Sequence, residues 1–225
     1  MLLRLVNQVR RSIGTHGLMR AVAIAWFRCC ERLGDAWYGI ETRQMKALDQ
    51  GPFCHDYEAT DYRAIIAGLR LVCSMQREVV FLDYGCGKGR TLAVAATHSF
   101  RRIIGLDLHA DMLATARDNL SRMKRFVRCR DIELVNEDAM VFEVPDDVNV
   151  IFLFNPFSLP VLEVVIVRIK SSLKRAPRKI TILYLHPNDE ADPFAELDWC
   201  SAIDVLPVAG HLALRFPVHQ ASLNQ

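Results

Sequence analysis

The chain has 225 residues, about half of them hydrophobic, and a formal net charge of +2. That length accommodates one sizeable domain with a full core plus an extension, and the near-balanced charge gives no sign of a general nucleic-acid-binding surface. Seven cysteines (Cys29, Cys30, Cys54, Cys73, Cys86, Cys129 and Cys200) without a C-x-x-C pair argue against a disulfide scaffold or a structural zinc site, and fit a reducing, cytoplasmic setting.

Residues 1–35 read as helical and arginine-rich, with Arg4, Arg10, Arg11, Arg20, Arg28 and Arg32; Gly14 and Gly17 would split them into two helices. Two readings stay open. The helices either cover the core with their arginines in solvent, or form a basic amphipathic surface for anionic lipid or a protein partner. The apolar run 21–27 lies between Arg20 and Arg28 without a small-residue cleavage site, unlike a signal peptide. Residues 36–60 read as a connecting arm.

Strand and helix then alternate. The patterns predict helix over 61–76, strand 79–84, helix 90–98, strand 102–108 and helix 110–126, the last with Met112, Leu113, Ala116 and Leu120 at helical spacing. Strands follow at 132–138 and 148–154, a helix at 160–176 and a strand at 179–185. Two last strand-like pieces, near 200–208 and 211–218, flank Gly210. Residues 148–167 are as long as a membrane span, but Asn149, Asn155, Glu163 and two prolines make them a strand, a turn and a helix start. The fold class is therefore α/β: a Rossmann-like, mostly parallel sheet with helices on both faces and an antiparallel C-terminal hairpin at one edge. The expected division is a helical extension and arm over 1–60 and a ligand-binding domain over 61–225. Such sheets bind ligands at the carboxyl ends of their strands.

"FLDYGCGKGRTL" (81–92) is a glycine loop directly after a strand. A phosphate loop needs G-x-x-x-x-G-K-[ST], but Leu82 stands at its first position and Gly89 follows Lys88. A dinucleotide loop needs G-x-G-x-x-G, and here Arg90 takes the third glycine's place. S-adenosylmethionine fits better. It carries no phosphate, and it needs close backbone approach, which Gly85, Gly87 and Gly89 allow because they lack a Cβ. Asp83, at the first strand's end, can engage the cofactor's ammonium. Asp107, in "IIGLDL", can accept the ribose hydroxyls. Asp138, in "NEDA", can read the adenine amino group. Leu108 and Ala139, which follow the last two acids, complete the cofactor set. Singly, each acid could instead cap the element after it; three acids at three successive strand ends are a far more specific pattern. Cys86 reads as a small filler of the tight turn.

These motifs, together with "VIFLFNPF", resemble in order and spacing those of class I S-adenosylmethionine-dependent methyltransferases. Within that superfamily the chain is similar to a bacterial group with a G-x-G-K-G-R loop and an N-P-F motif. The resemblance covers about residues 53–187 and extends more weakly to "YGIET" (38–42) and "DYEATDY" (56–62). It implies a seven-stranded sheet and places Tyr57 and Thr60 near the cofactor's carboxylate. In that group the second segment often reads Y-x-P-T, and Ala59 here replaces the proline.

Methyl transfer is an in-line displacement in which the protein mainly positions the reactants. The expected catalytic set is Asn155, Pro156 and Phe157, with Asn155 accepting a hydrogen bond from the acceptor and Phe157 packing on acceptor or cofactor. The competing reading is a tight turn with Phe157 in the core. A nitrogen acceptor is compatible with this motif, which has one proline where amino-group methyltransferases often have two. His55, Tyr57, Tyr184 and His186 are the candidate bases, and none is preferred. No metal is expected. The alternatives are a nicotinamide-dependent oxidoreductase and a non-catalytic binding module on the same fold. The acceptor and the oligomeric state are not specified.

Overall fold

A computed structural model describes residues 29–42, 59–123, 127–187, 190–206 and 214–223. Residues 1–28, and with them most of the two helices expected over 1–35 and of their lipid- or partner-docking surface, lie outside the described residues, as do Cys54, His55, Tyr57 and Gly210.

A helix, α1, occupies 29–38, three residues into the stretch expected to be arm. Gly39 ends it at φ +70°. The Ile40 N–H donates to the Asp35 carbonyl and the Gly39 N–H to that of Ala36, the paired bonds that close a helix through a left-handed residue. Ile40 turns into the core. Helix α2 (Tyr62–Met75) buries Ile65, Leu69 and Val72, spaced to share one face, and the Asp61 side chain accepts from the Arg63 N–H at its start.

Strand β1 (Val80–Tyr84) is buried along its whole length, the mark of a central strand covered on both faces. Helix α3 (Arg90–Ala95), strand β2 (Arg102–Asp107), helix α4 (Ala110–Arg122), strand β3 (Ile132–Asn136), strand β4 (Val150–Phe154), helix α5 (Leu159–Arg175) and strand β5 (Ile180–Pro187) follow. After a short 3-10 turn (Pro193–Glu196) come β6 (Cys200–Val205), β7 (Leu214–Arg215) and β8 (Pro217–Ala221). Helix α3 is shorter than its apolar run suggests, because the N–H groups of Arg128 and Cys129 take the Ala96 carbonyl.

The sheet order is β3-β2-β1-β4-β5-β8-β6, with β7 continuing β8 along β5 beyond Phe216, so there are seven strand positions. β1 to β5 pair in parallel, and β8 pairs antiparallel with both β5 and β6. The C-terminal antiparallel pair is as expected, but its last strand inserts inside the sheet and leaves β6 as the edge. One core lies between the sheet and α2, α3 and α4, and a second lies under α5. No helix among the described residues is long and apolar enough to cross a membrane.

Candidate active site

The carboxyl ends of β1, β2 and β4 meet at the glycine loop. Gly85, Gly87 and Gly89 all have positive φ, at +76°, +51° and +78°. The N–H groups of Gly85 and Cys86 both donate to the Leu106 carbonyl, which ties the loop to β2. Gly85 also abuts the N-P-F turn: a Cβ there would lie 2.8 Å from the Pro156 Cβ.

Asp107 is buried, and both its carboxylate oxygens are engaged. Oδ2 accepts from the Gly87 N–H at 2.8 Å and Oδ1 from the His109 N–H at 2.9 Å. Each oxygen keeps a further lone pair for a ligand hydroxyl. Burial raises its pKa above the usual carboxylate value, against those two bonds. Asp83 is also buried, and its Oδ2 has no hydrogen-bond partner. Burial first, and the Asp107 charge second, push its pKa well up. An unpaired buried carboxyl of this kind suits a cationic ligand, which restores its ionised form. Leu108 is 49% exposed, a bare apolar side chain beside Asp107. Ala139 is buried. Asp138 also serves its own turn: its Oδ1 accepts from the Met140 N–H at 2.8 Å.

Asn155 has φ +34°, the one described non-glycine residue at positive φ, and its N–H donates to the Leu185 carbonyl at 2.8 Å. Asparagine tolerates this conformation better than most residues, at some cost in strain. Phe157 meets the Tyr84 ring edge-on, with centroids 6.1 Å apart. Asn155, Pro156 and Phe157 are half-buried, so the turn stands beside the loop rather than inside the core. Asp83, Asp107, the three glycines and the N-P-F turn therefore share one end of the sheet, with Leu108, Asp138 and Ala139 along its β2–β3 side.

Sequence reasoning missed a latch that fastens the arm to this loop. The guanidinium of Arg90, just past Gly89, is buried. It pairs with Glu31 and Asp35 of α1 and donates to the Thr42 hydroxyl and, at 3.0 Å, to the Thr60 carbonyl. It lies 4.6 Å from the centroid of Tyr62, whose ring also stacks on Tyr38 and whose hydroxyl donates to Asp35 at 2.7 Å. Gly34 makes room for that ring, since a Cβ there would approach it to 2.4 Å. Thr60 thus enters as a buried residue holding Arg90 through its carbonyl. Asn119 of α4, with 0% exposure, bridges the same two parts: its amide donates to the carbonyls of Glu41, at 3.0 Å, and Lys88, at 2.9 Å. Its oxygen accepts from the Glu41 N–H at 2.8 Å. In the sequence Arg90 stood out as the residue in place of a third glycine, and Thr60 as a neighbour of the cofactor, but nothing there joined the two.

Two carboxylates share one guanidinium in this latch, and burial pushes the Glu31 pKa up to about 7 despite Arg90 beside it. A carboxyl whose folded pKa exceeds its unfolded value contributes stability in full below the unfolded value and loses it as pH rises through the folded one. Stability should therefore fall between about pH 4.5 and 7 by up to about 3 kcal/mol on account of Glu31. Melting temperatures across that range should decline less steeply in Glu31→Gln; parallel curves for the two proteins would exclude this role.

Residues 81–176 match a family described as a methyltransferase domain. No curated protein matches the chain by sequence. Among solved structures, the Escherichia coli protein yhhF, described as a candidate methyltransferase, superposes with a TM-score of 0.58 at 16% identity, covering 75% of this chain and 90% of its own. The N-methyltransferase NodS of Bradyrhizobium japonicum WM9, solved with S-adenosyl-l-homocysteine, gives 0.56 at 12% identity, covering 72% and 87%. An rRNA methylase of Streptococcus thermophilus gives 0.53 at 15%, covering 74% and 100%. At these identities the likeness is one of fold. The chain has the methyltransferase fold, and its methyltransferase-domain match runs from β1 to the end of α5.

Proposed function

We propose that the chain is an S-adenosylmethionine-dependent methyltransferase. The observation that carries this reading is the pair of buried carboxyls on either side of the glycine loop: Asp107, fixed by two backbone N–H groups, and Asp83, with an unpaired oxygen. The donor has a matching chemistry, a ribose diol for Asp107 and an ammonium for Asp83. Leu108, Asp138 and Ala139 would hold the adenine, and the backbone of Gly85 to Gly89 would allow the close approach. Tyr57 and Thr60 are proposed near its carboxylate end, with Thr60 acting through the position of its backbone on Arg90. When bound, the donor supplies an electrophilic methyl group and a neutral leaving group. The chain's own task is to place an acceptor in line with that methyl and to exclude water, and positioning of this kind contributes up to roughly 7–11 kcal/mol. Asn155 and Phe157, on a turn packed against Gly85, are the residues proposed to orient the acceptor. The setting is proposed to be the cytoplasm of a bacterium.

Calorimetry with S-adenosylmethionine, S-adenosylhomocysteine, NAD and NADH is the direct test. The first two should bind and the nicotinamides should not; the reverse result refutes the proposal. Asp107→Asn keeps the size of the side chain but replaces one charged acceptor by an N–H₂ that faces the Gly87 or His109 N–H. Charge-assisted hydrogen bonds contribute about 1.5–3 kcal/mol, so affinity should fall tenfold or more. A folded Asp107→Asn protein with wild-type affinity would remove Asp107 from the site.

A further inference from the structure

His186 stands near the end of β5 with its side chain on the face that carries Tyr184. It is 1% exposed, and neither ring nitrogen makes a hydrogen bond of normal geometry. Leaving a buried polar group unpaired is costly, so such groups need an explanation. A second buried imidazole nearby is satisfied at one nitrogen: Nε2 of His219, on β8, pairs with Asp192 at 2.8 Å, while its Nδ1 has no partner. Of the two imidazoles, that of His186 is the one unpaired at both nitrogens.

The position of His186 in the fold is specific. β5 lies beside β4, and the Leu185 carbonyl accepts from the Asn155 N–H, so His186 directly follows the residue bound to the N-P-F turn. Its ring stacks on Tyr184, with centroids 4.7 Å apart and planes 12° from parallel, which fixes its orientation. Two further buried hydroxyls without partners belong to the same end of the sheet: Tyr84, at the end of β1, and Ser158, just past the turn. Burial holds the His186 pKa below its ordinary value, so the neutral ring predominates near neutral pH. Around it, the Asp192 carboxylate, the Pro187 backbone carbonyl, whose approach falls short of normal hydrogen-bond geometry, and the Glu190 carboxylate favour protonation, while Arg215, its register partner on β7, opposes it. Asp192 in turn stays ionised through its pairing with His219.

We propose that His186 is the base that takes the acceptor's proton, and that the acceptor is an uncharged molecule bearing that proton on a hydroxyl or a ring N–H. The role rests on the methyltransferase reading above. The acceptor's lone pair forms the new bond to the methyl carbon as the sulfur–carbon bond breaks, and that bond's electrons return to sulfur as a neutral thioether. The acceptor's proton passes to a ring nitrogen of His186. Asp192 stabilises the imidazolium until the proton leaves to water. The half-buried ring of Phe157 suits a flat, uncharged acceptor body.

The test uses methyl-labelled S-adenosylmethionine with a panel of phenols, catechols, and hydroxylated or N–H heteroaromatics. Full-length wild type, His186→Gln and His186→Ala are compared, and calorimetry of donor binding and melting temperature are read in parallel. Wild type should methylate at least one compound. His186→Gln should do so a hundredfold or more slower, the usual scale of general base catalysis, with donor affinity and melting temperature unchanged. Added imidazole should restore His186→Ala, and the acidic limb of the wild-type pH profile should vanish in both variants. Wild-type rates in His186→Gln, or lost activity that imidazole does not restore, overturn the base. A wild type that binds the donor but methylates nothing in the panel overturns the acceptor class. A wild type that does not bind the donor at all overturns the underlying reading instead, and the role of His186 with it.

Discussion

Replacing Gly85 by valine should abolish cofactor binding while leaving the sheet folded. Gly85 sits at φ +76°, where a β-branched residue is strongly disfavoured, and its missing Cβ faces the Pro156 Cβ at 2.8 Å. Neither conflict can relax alone. A rotation of Gly85 to negative φ breaks the hydrogen bonds that tie Gly85 and Cys86 to the Leu106 carbonyl. A retreat of Pro156 moves the turn that carries Asn155. Gly85 itself is exposed, so the damage should stay at the site rather than spread into the core. The expected loss of affinity for S-adenosylhomocysteine is on the order of a hundredfold or more, with Gly85→Ala intermediate. Calorimetry beside a thermal melt measures both, and a folded valine variant with wild-type affinity would place the ligand elsewhere.

The second large effect should come from Arg90→Leu. The substitution leaves Glu31 and Asp35 facing each other in a half-buried setting without their counter-charge. It also removes the donors that hold the Thr42 hydroxyl and the Thr60 carbonyl. Breaking a buried ion pair on one side commonly costs about 3–5 kcal/mol, a large share of the stability of a domain. Lysine should recover part of this at best, since a compact ammonium cannot reach four separate acceptors in the plane of a fork. The melting temperature should drop by several degrees or more, and proteases should cut near α1 before the sheet. An unchanged melt would mean that the latch carries little energy. The same latch bears on a deletion of the N-terminal region. A truncation that removes α1 also takes away the two acidic partners of Arg90, and should give a poorly stable protein rather than a soluble one that has lost only its acceptor.

The succession of strands and helices, and the acids that follow the first three strands, were readable in advance because each depends on neighbours in sequence. A buried apolar run, a loop rich in glycine and an acid at the strand's end define a local pattern. Asp107 and Gly87 are 20 residues apart, and the alternation of strand and helix sufficed to bring them together. Asn119 was not readable. On the surface of α4 it would be an unremarked polar residue; it gains its role only because Glu41 and Lys88, 78 and 31 residues away, present their backbones to it. Asp192 and His219 likewise meet across 27 residues that include an edge strand. The N-P-F turn was located correctly, but the left-handed backbone of Asn155 was not foreseen, because Pro156 alone accounts for a turn. The insertion of β8 between β5 and β6 also carries no local signal, since a hairpin reads the same whichever of its strands lies inside.

The bridge between Glu41 and Asn119 has a bearing on synthesis. The two residues are 78 apart, and at about 5–20 residues per second the ribosome needs roughly 4–16 s to deliver the second after the first. Over that interval Ile40 and the acids of α1 have no complete socket, for Arg90 is made only partway through it and Asn119 at its end. The arm must therefore dock late, onto a loop whose own strand is already paired. Cofactor affinity should appear in the nascent chain only after β2 and α4 have emerged, well after the segment that latches the site has left the ribosome.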